Sequence, residues 1–381
     1  VNLRNGRSKA LAIGAVALVS TLSLSACGTD DNSSNNTSGS SASGGSTAAA
    51  PAKIVCADKG GQLLGAGSTA QAPAIDVWKA AYSAACSSAT LTYSGGGSGA
   101  GVTQFNQGKI AFAGSDSALK PAEVDASKAV CTGGQAIDLP MVGGLVSIVF
   151  NIEGVDKLVV DGPTLAKIFD SQITKWNDPA IAALNPGVNL PAADIQAIHR
   201  SEDSGTTANL TGYLAKAGGG NWKYPAAKAW AGQGGQSANG SAGVAALVKQ
   251  TKNSISYVEL SYAQTNKLNS AAINTGASKP VEATAANAAA TLASAKVTGT
   301  GADLALDIDY ATKAEGNYPI TLVTYEIVCD KGNKAETLPV LKSFLNYTVS
   351  DAGQQAIGAV GYVPLPAELA TKVKTQIDAL A

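Results

Sequence analysis

The stretch R-S-E-D-S-G-T from Arg200 to Thr206 places a guanidinium beside hydroxyl and glycine donors, just ahead of a helix-like run carrying Leu210, Tyr213 and Leu214. Two more loops share that position. G-A-G-S-T (Gly65–Thr69) follows Leu63-Leu64 and precedes Ile75, Trp78, Ala81, Tyr82 and Ala85 at helical spacing, with Pro73 suited to the first turn. S-G-G-G-S-G-A-G (Ser94–Gly101) joins the strand-like Leu91-Thr92-Tyr93 to a helix opened by Val102-Thr103-Gln104-Phe105, and a short strand after it, Ile110 to Gly114, ends in Ser115-Asp116. The first N–H groups of a helix lack internal partners and carry partial positive charge, so such ends attract anions. Glycine lets the backbone approach, and Ser or Thr hydroxyls add donors. One such loop is ordinary turn chemistry. Three in one chain, with an arginine that can address two oxygens, point to a dehydrated oxyanion held by neutral donors and one guanidinium. Glu202 is placed to pair with Arg200 and orient it.

Other chemistries fit these residues less well. Gly65 to Ala70 looks like a dinucleotide fingerprint, but Ser94 and glycines stand at the end of the next strand, where a ribose-binding carboxylate is needed. No G-x-x-x-x-G-K-[ST] stretch supports a P-loop. His199 and Ser204 at a strand-to-loop junction have no triad geometry, and G-x-S-x-G is absent, so no catalytic residue is assigned. Trp176, Trp222 and Trp230 read as packing residues or loop anchors. The lone His lies away from the cysteines and no cysteine pair has zinc-ligand spacing, which disfavours a metal, and no cofactor is expected.

The elements that must position these loops belong to a chain of 381 residues, longer than one ordinary core of about 100 to 200 residues, so two domains are expected. Short apolar runs alternate with glycine-rich turns and helical stretches, an α/β pattern. A net charge of −1, from 27 basic and 28 acidic residues without long blocks, removes the electrostatic basis for binding nucleic acid. Arg4, Arg7 and Lys9 followed by an apolar stretch from Ala10 to about Leu24 form an export signal, residues 1–26, too short to span a membrane. That stretch ends in L-S-A-C, which resembles the lipobox of bacterial lipoproteins and would make Cys27 a diacylated mature N-terminus anchored to the membrane. The Ser-, Gly- and Asn-rich residues after it complete a segment, 27–52, read as an anchor and flexible tether with a reach of about 25 to 30 Å. Cys56, Cys86, Cys131 and Cys329 suggest two disulfides in an exported chain. Of the possible pairings, Cys86 with Cys131 and Cys56 with Cys329 is the one expected, though the sequence leaves the others open.

In order along the chain, G-A-G-S-T-A-Q-A-P, Y-S-G-G-G-S-G-A-G-V, F-A-G-S-D, K-W-N-D-P-A-I-A-A-L-N-P-G-V-N-L-P and H-R-S-E-D-S-G-T-T resemble the phosphate-binding proteins of phosphate ABC importers. The likeness continues through Gly243 to Glu259 and Y-P-I at Tyr318–Ile320. It implies an α/β, two-lobed Venus-flytrap fold of the type II periplasmic-binding-protein kind, each lobe a mixed sheet flanked by helices. Lobe I would take residues 53–146 and 318–381, and lobe II residues 147–317. Carried over position by position, it implies that Thr69, the backbone of Ala70, Ser98 and Asp116 bind phosphate from lobe I, and Arg200, Ser204, Gly205 and Thr206 from lobe II. Asp116 would be the selectivity element, because a carboxylate tolerates an anion only when that anion brings a proton to it, as phosphate does and sulfate does not. Asp203 stands where the family often has Gly and could adopt the left-handed conformation, and Ala70 stands where an aromatic is often found. The implied partners are inorganic phosphate, the importer's permease subunits with their ATPase, and the membrane through Cys27. A monomer on the extracytoplasmic face is expected. Alternatives are a binder of sulfate or molybdate, or an exported phosphatase or adhesin.

Overall fold

The computed structural model describes residues 54–381, so the export signal, Cys27 and the tether lie outside the described residues. In chain order the strands are β1 (Gly61–Gly67), β2 (Ala89–Ser94), β3 (Phe112–Ser115), β4 (Ala136–Asn151), β5 (Val159–Asp161), β6 (Gln196–Arg200), β7 (Gln236–Ala238), β8 (Ser254–Glu259), β9 (Asn269–Ser270), β10 (Ala272–Asn274), β11 (Lys296–Val297), β12 (Leu306–Asp307) and β13 (Thr321–Cys329). The main sheet runs β2-β1-β3-β13-β4-β8-β6-β7, with β9 also on β4.

Its spine is β4, whose sequence A-I-D-L-P-M-V-G-G-L-V-S-I-V-F-N is apolar almost throughout and buried in every residue but the last. A continuous apolar run of this kind suits a strand covered on both faces. From Ala136 to Leu145 it pairs with β13, and from Val146 to Asn151 with β8. One strand therefore serves two half-sheets. Pro140 is accommodated at a register shift opposite Thr324 and Tyr325, where the ladder is already interrupted and a missing N–H costs least. On one side β1, β2 and β3 run parallel, with helices Ala72–Ala85 and Ser98–Asn106 as crossovers. On the other, β6 runs parallel to β7 and β8, with helix Gly205–Ala217 leaving the end of β6 and helix Gly240–Gln250 between β7 and β8. The result is an α/β fold of two lobes sharing the central strand β4.

Trp78 is buried in the first half and donates to Gly353 O at 2.7 Å, while Trp176 does the same in the second half to Asn253 O at 3.0 Å. Trp222 and Trp230 pack together beside Phe169 and Tyr257, as residues read as packing should. After helix Ala285–Ala293 the chain reaches back to the first half, where Leu304 N donates to Asp138 O at 3.0 Å and the Leu304 side chain joins the cluster around Trp78.

The disulfides differ from the expected pairing: Cys56 bonds to Cys86 and Cys131 to Cys329, with Cα separations of 5.4 and 5.3 Å. The cause is strand register. Cys56 precedes β1 and Cys86 ends the helix that returns to β2, so the parallel pairing of Gly61 with Ala89 brings them together. Cys329 ends β13 opposite Ala136, the first residue of β4, and Cys131 lies just before it.

Candidate functional site

Asp116 follows β3 and is 3 % exposed. Its Oδ1 accepts from the Ser68 hydroxyl and from Thr324 Oγ1 at 2.8 Å, and its Oδ2 from Thr206 Oγ1 at 3.3 Å and Ser98 Oγ at 3.5 Å. Burial raises its pKa above the ordinary value, and the Ser68, Thr324 and Thr206 hydroxyls and the Arg200 charge pull it back. Arg200, at the end of β6, is 2 % exposed. Its Nε donates to Glu202 Oε1 at 2.8 Å, one Nη donates to the same oxygen and to Thr69 Oγ1 (2.8 Å), and the other Nη lies 3.4 Å from both Thr206 Oγ1 and Ser241 Oγ. Glu202 Oε1 also accepts from Gly240 N at 3.1 Å. Glu202 Oε1 thus takes both hydrogens on one edge of the guanidinium.

The helix starts bring the donors in. Gly205 N, at the start of helix Gly205–Ala217, donates to Ser98 Oγ at 3.1 Å, and a Cβ on Gly205 would lie 2.6 Å from both Asp116 Cβ and Ser98 Oγ. Only glycine allows so close an approach. Thr69, Ser98, Asp116, Arg200, Gly205 and Thr206 thus come together from both halves of the fold. Two expected residues have other partners: the Ser204 hydroxyl caps its helix by accepting from Thr207 N (3.3 Å), and Ala70 N donates to Ser68 Oγ (3.0 Å). Asp203 is exposed, keeps an ordinary negative φ rather than the left-handed one considered for it, and offers its carbonyl to Gly99 N at 3.0 Å across the two halves. His199 stacks on Trp230 with centroids 4.8 Å apart.

Several contacts at the site come from residues outside the loops singled out in the sequence. Ser241 opens helix Gly240–Gln250, and its N donates to Thr69 Oγ1 at 3.1 Å. The signal was present in N-G-S-A-G at Asn239–Gly243, a fourth glycine–hydroxyl helix start. Ser68 was inside a recognised loop, whereas Thr324 sits in a uniformly buried strand with nothing to mark it. The assembled group offers hydroxyl and backbone donors, one oriented guanidinium and one carboxylate, a constellation for holding an oxyanion.

Similarity to known proteins extends over most of the chain. Residues 37–352 match the family model of the PBP superfamily domain. Phosphate-binding protein PstS 3 of Mycobacterium tuberculosis is 42% identical over 373 residues, covering 97% of this chain and 98% of that protein. Phosphate-binding protein PstS of Xylella fastidiosa is 35% identical over 317 residues, covering 82% of this chain and 84% of that protein. In structure, the phosphate-bound high-affinity periplasmic phosphate-binding protein PfluDING superposes with a TM-score of 0.67 at 22% identity, covering 83% of this chain and 93% of its own. The chain belongs to the PBP superfamily and, within it, to the PstS phosphate-binding proteins, a family of transport binding proteins rather than enzymes.

Proposed function

We propose that this chain captures inorganic phosphate between its two lobes and delivers it to the permease of an ABC importer. The observation that carries this reading is the meeting of Arg200 and Asp116, from opposite halves of the sheet, within one set of hydroxyl and backbone donors. The guanidinium draws an oxyanion in. The carboxylate then admits one that can donate a proton to it, and phosphate near neutral pH can where sulfate cannot. On this reading Thr69, the Ala70 backbone, Ser98 and Asp116 bind from lobe I, and Arg200, Ser204, Gly205 and Thr206 from lobe II. Lobe I takes 53–146 and 318–381 and lobe II takes 147–317, in keeping with the change of partner along β4 between Leu145 and Val146. Differential affinity for the closed arrangement drives closure. A monomer held by lipid on Cys27 at the extracytoplasmic face, docking on the permease through the lobe edges around the cleft, completes the proposal.

Titration calorimetry of the wild type and Asp116→Asn with phosphate and with sulfate tests it. The wild type binds phosphate and rejects sulfate, and the variant narrows that preference by about tenfold or more, roughly 1.4 kcal/mol. Unchanged binding of both anions would remove the carboxylate from the selectivity argument, and a wild type indifferent to phosphate would remove the function.

A further inference from the structure

Glu123 and Lys228 form an ion pair, with Oε1 of the one 2.7 Å from Nζ of the other. They belong to different halves of the fold. Glu123 sits in helix Pro121–Ser127, which is tied to helix Ser98–Asn106 of the first half where Asn106 Nδ2 donates to Glu123 O at 3.0 Å. Lys228 follows helix Gly205–Ala217 of the second half, and the chain just before it is tied to that helix where Ala227 N donates to Thr211 Oγ1 at 3.0 Å. Among the described residues this is the one ion pair that joins the two halves.

Its surroundings set it apart from a surface contact. The Lys228 side chain is 6 % exposed and that of Glu123 24 %. A fully exposed pair is worth little, but an ammonium this buried has given up its water and depends on its acceptor. Glu123 is fixed in turn, because its Oε2 accepts from Lys120 N at 2.8 Å and closes the helix start. The pair also adjoins the anion site. Lys228 O accepts from Ser204 N at 3.0 Å, and Lys228 lines a cavity of about 210 Å³ whose wall includes Asp116 and Asn209. Asn209 Nδ2 crosses between the halves to donate to Asp116 O at 2.6 Å.

Other bonds between the halves, from Arg200 to Thr69, Gly205 to Ser98 and Thr206 to Asp116, use groups that also serve the anion. The Lys228–Glu123 pair uses none of them. When the halves separate both charges return to water, so the buried pair exists only while the halves are together. We propose that Lys228 and Glu123 are positioning residues that latch the halves together and slow release of the bound anion without touching it. Breaking the pair then speeds departure. Capture and selectivity stay nearly unchanged, since the guanidinium, the carboxylate and the donors of the site are intact.

The proposal rests on the phosphate reading of the site, and the test separates the two. Phosphate association and release are timed by stopped flow for the wild type, Glu123→Gln, Lys228→Met, the double variant and Lys120→Met, with circular dichroism checking the fold. Glu123→Gln keeps an oxygen for Lys120 N, so the helix start survives. Each single break of the pair speeds release by about tenfold, with association and the preference for phosphate over sulfate within about threefold of the wild type. The double variant releases no faster than the quicker single one, because both remove the same contact. Lys120→Met takes a positive charge from an exposed residue of the same cavity without breaking the Lys228–Glu123 pair, and its release rate stays within about threefold. Unchanged release in the pair variants, additive effects in the double variant, or equal acceleration in Lys120→Met overturns the proposal. A wild type that binds no phosphate overturns the site reading instead. Solution scattering then judges the latch, which is upheld by a larger radius of gyration in Glu123→Gln than in the wild type and overturned by an equal one.

Discussion

Glu202 decides where the Arg200 guanidinium can point, because one of its oxygens takes both an Nε and an Nη hydrogen bond and ties them to Gly240 N. Glu202→Gln replaces a charge-assisted contact with a neutral one and loosens that plane. The expected outcome is phosphate binding weaker by about tenfold, or roughly 1.4 kcal/mol, in titration calorimetry. Tighter binding would mean that the carboxylate acts on the anion mainly by repulsion. Arg200 and Asp116 were legible from sequence because a charged residue in a glycine–hydroxyl loop has few structural uses. Ser241 and Thr324 were not, since a hydroxyl acquires a role only when another segment is folded against it, here Thr69 and Asp116.

Helix starts carry the donors, and their approach is set by glycines more than by charges. Gly205→Ala forces a Cβ to within 2.6 Å of Asp116 Cβ and Ser98 Oγ, closer than carbon atoms pack. We expect a folded protein with a normal circular dichroism spectrum and phosphate affinity reduced about a hundredfold, roughly 2.7 kcal/mol. Retained affinity would show that the two halves need not come this close. The loop–helix junctions could be read in advance because glycine and hydroxyl residues mark them locally. The pairing of Cys131 with Cys329 could not, since 198 residues separate them and only the register of β4 against β13 brings them together.

Across the whole molecule, both disulfides brace the half of the sheet built on β1, β2 and β13, away from the anion-holding loops. Removing one is a stability change and not a binding change. Cys56→Ser with Cys86→Ser lowers stability by about 2 to 5 kcal/mol in thermal unfolding, while phosphate affinity of the folded protein moves by less than about twofold. A large loss of affinity would place that bridge in the binding cycle. The unbroken run of β4 through both halves, with Leu145 pairing to one side and Val146 to the other, has a mechanical consequence. Motion between the halves must twist one continuous strand, because no loop interrupts β4 at that point. Opening is then elastic: amides at this junction stay protected from hydrogen exchange in open and closed states alike, and the protein can load and unload many times without any part of its spine having to refold.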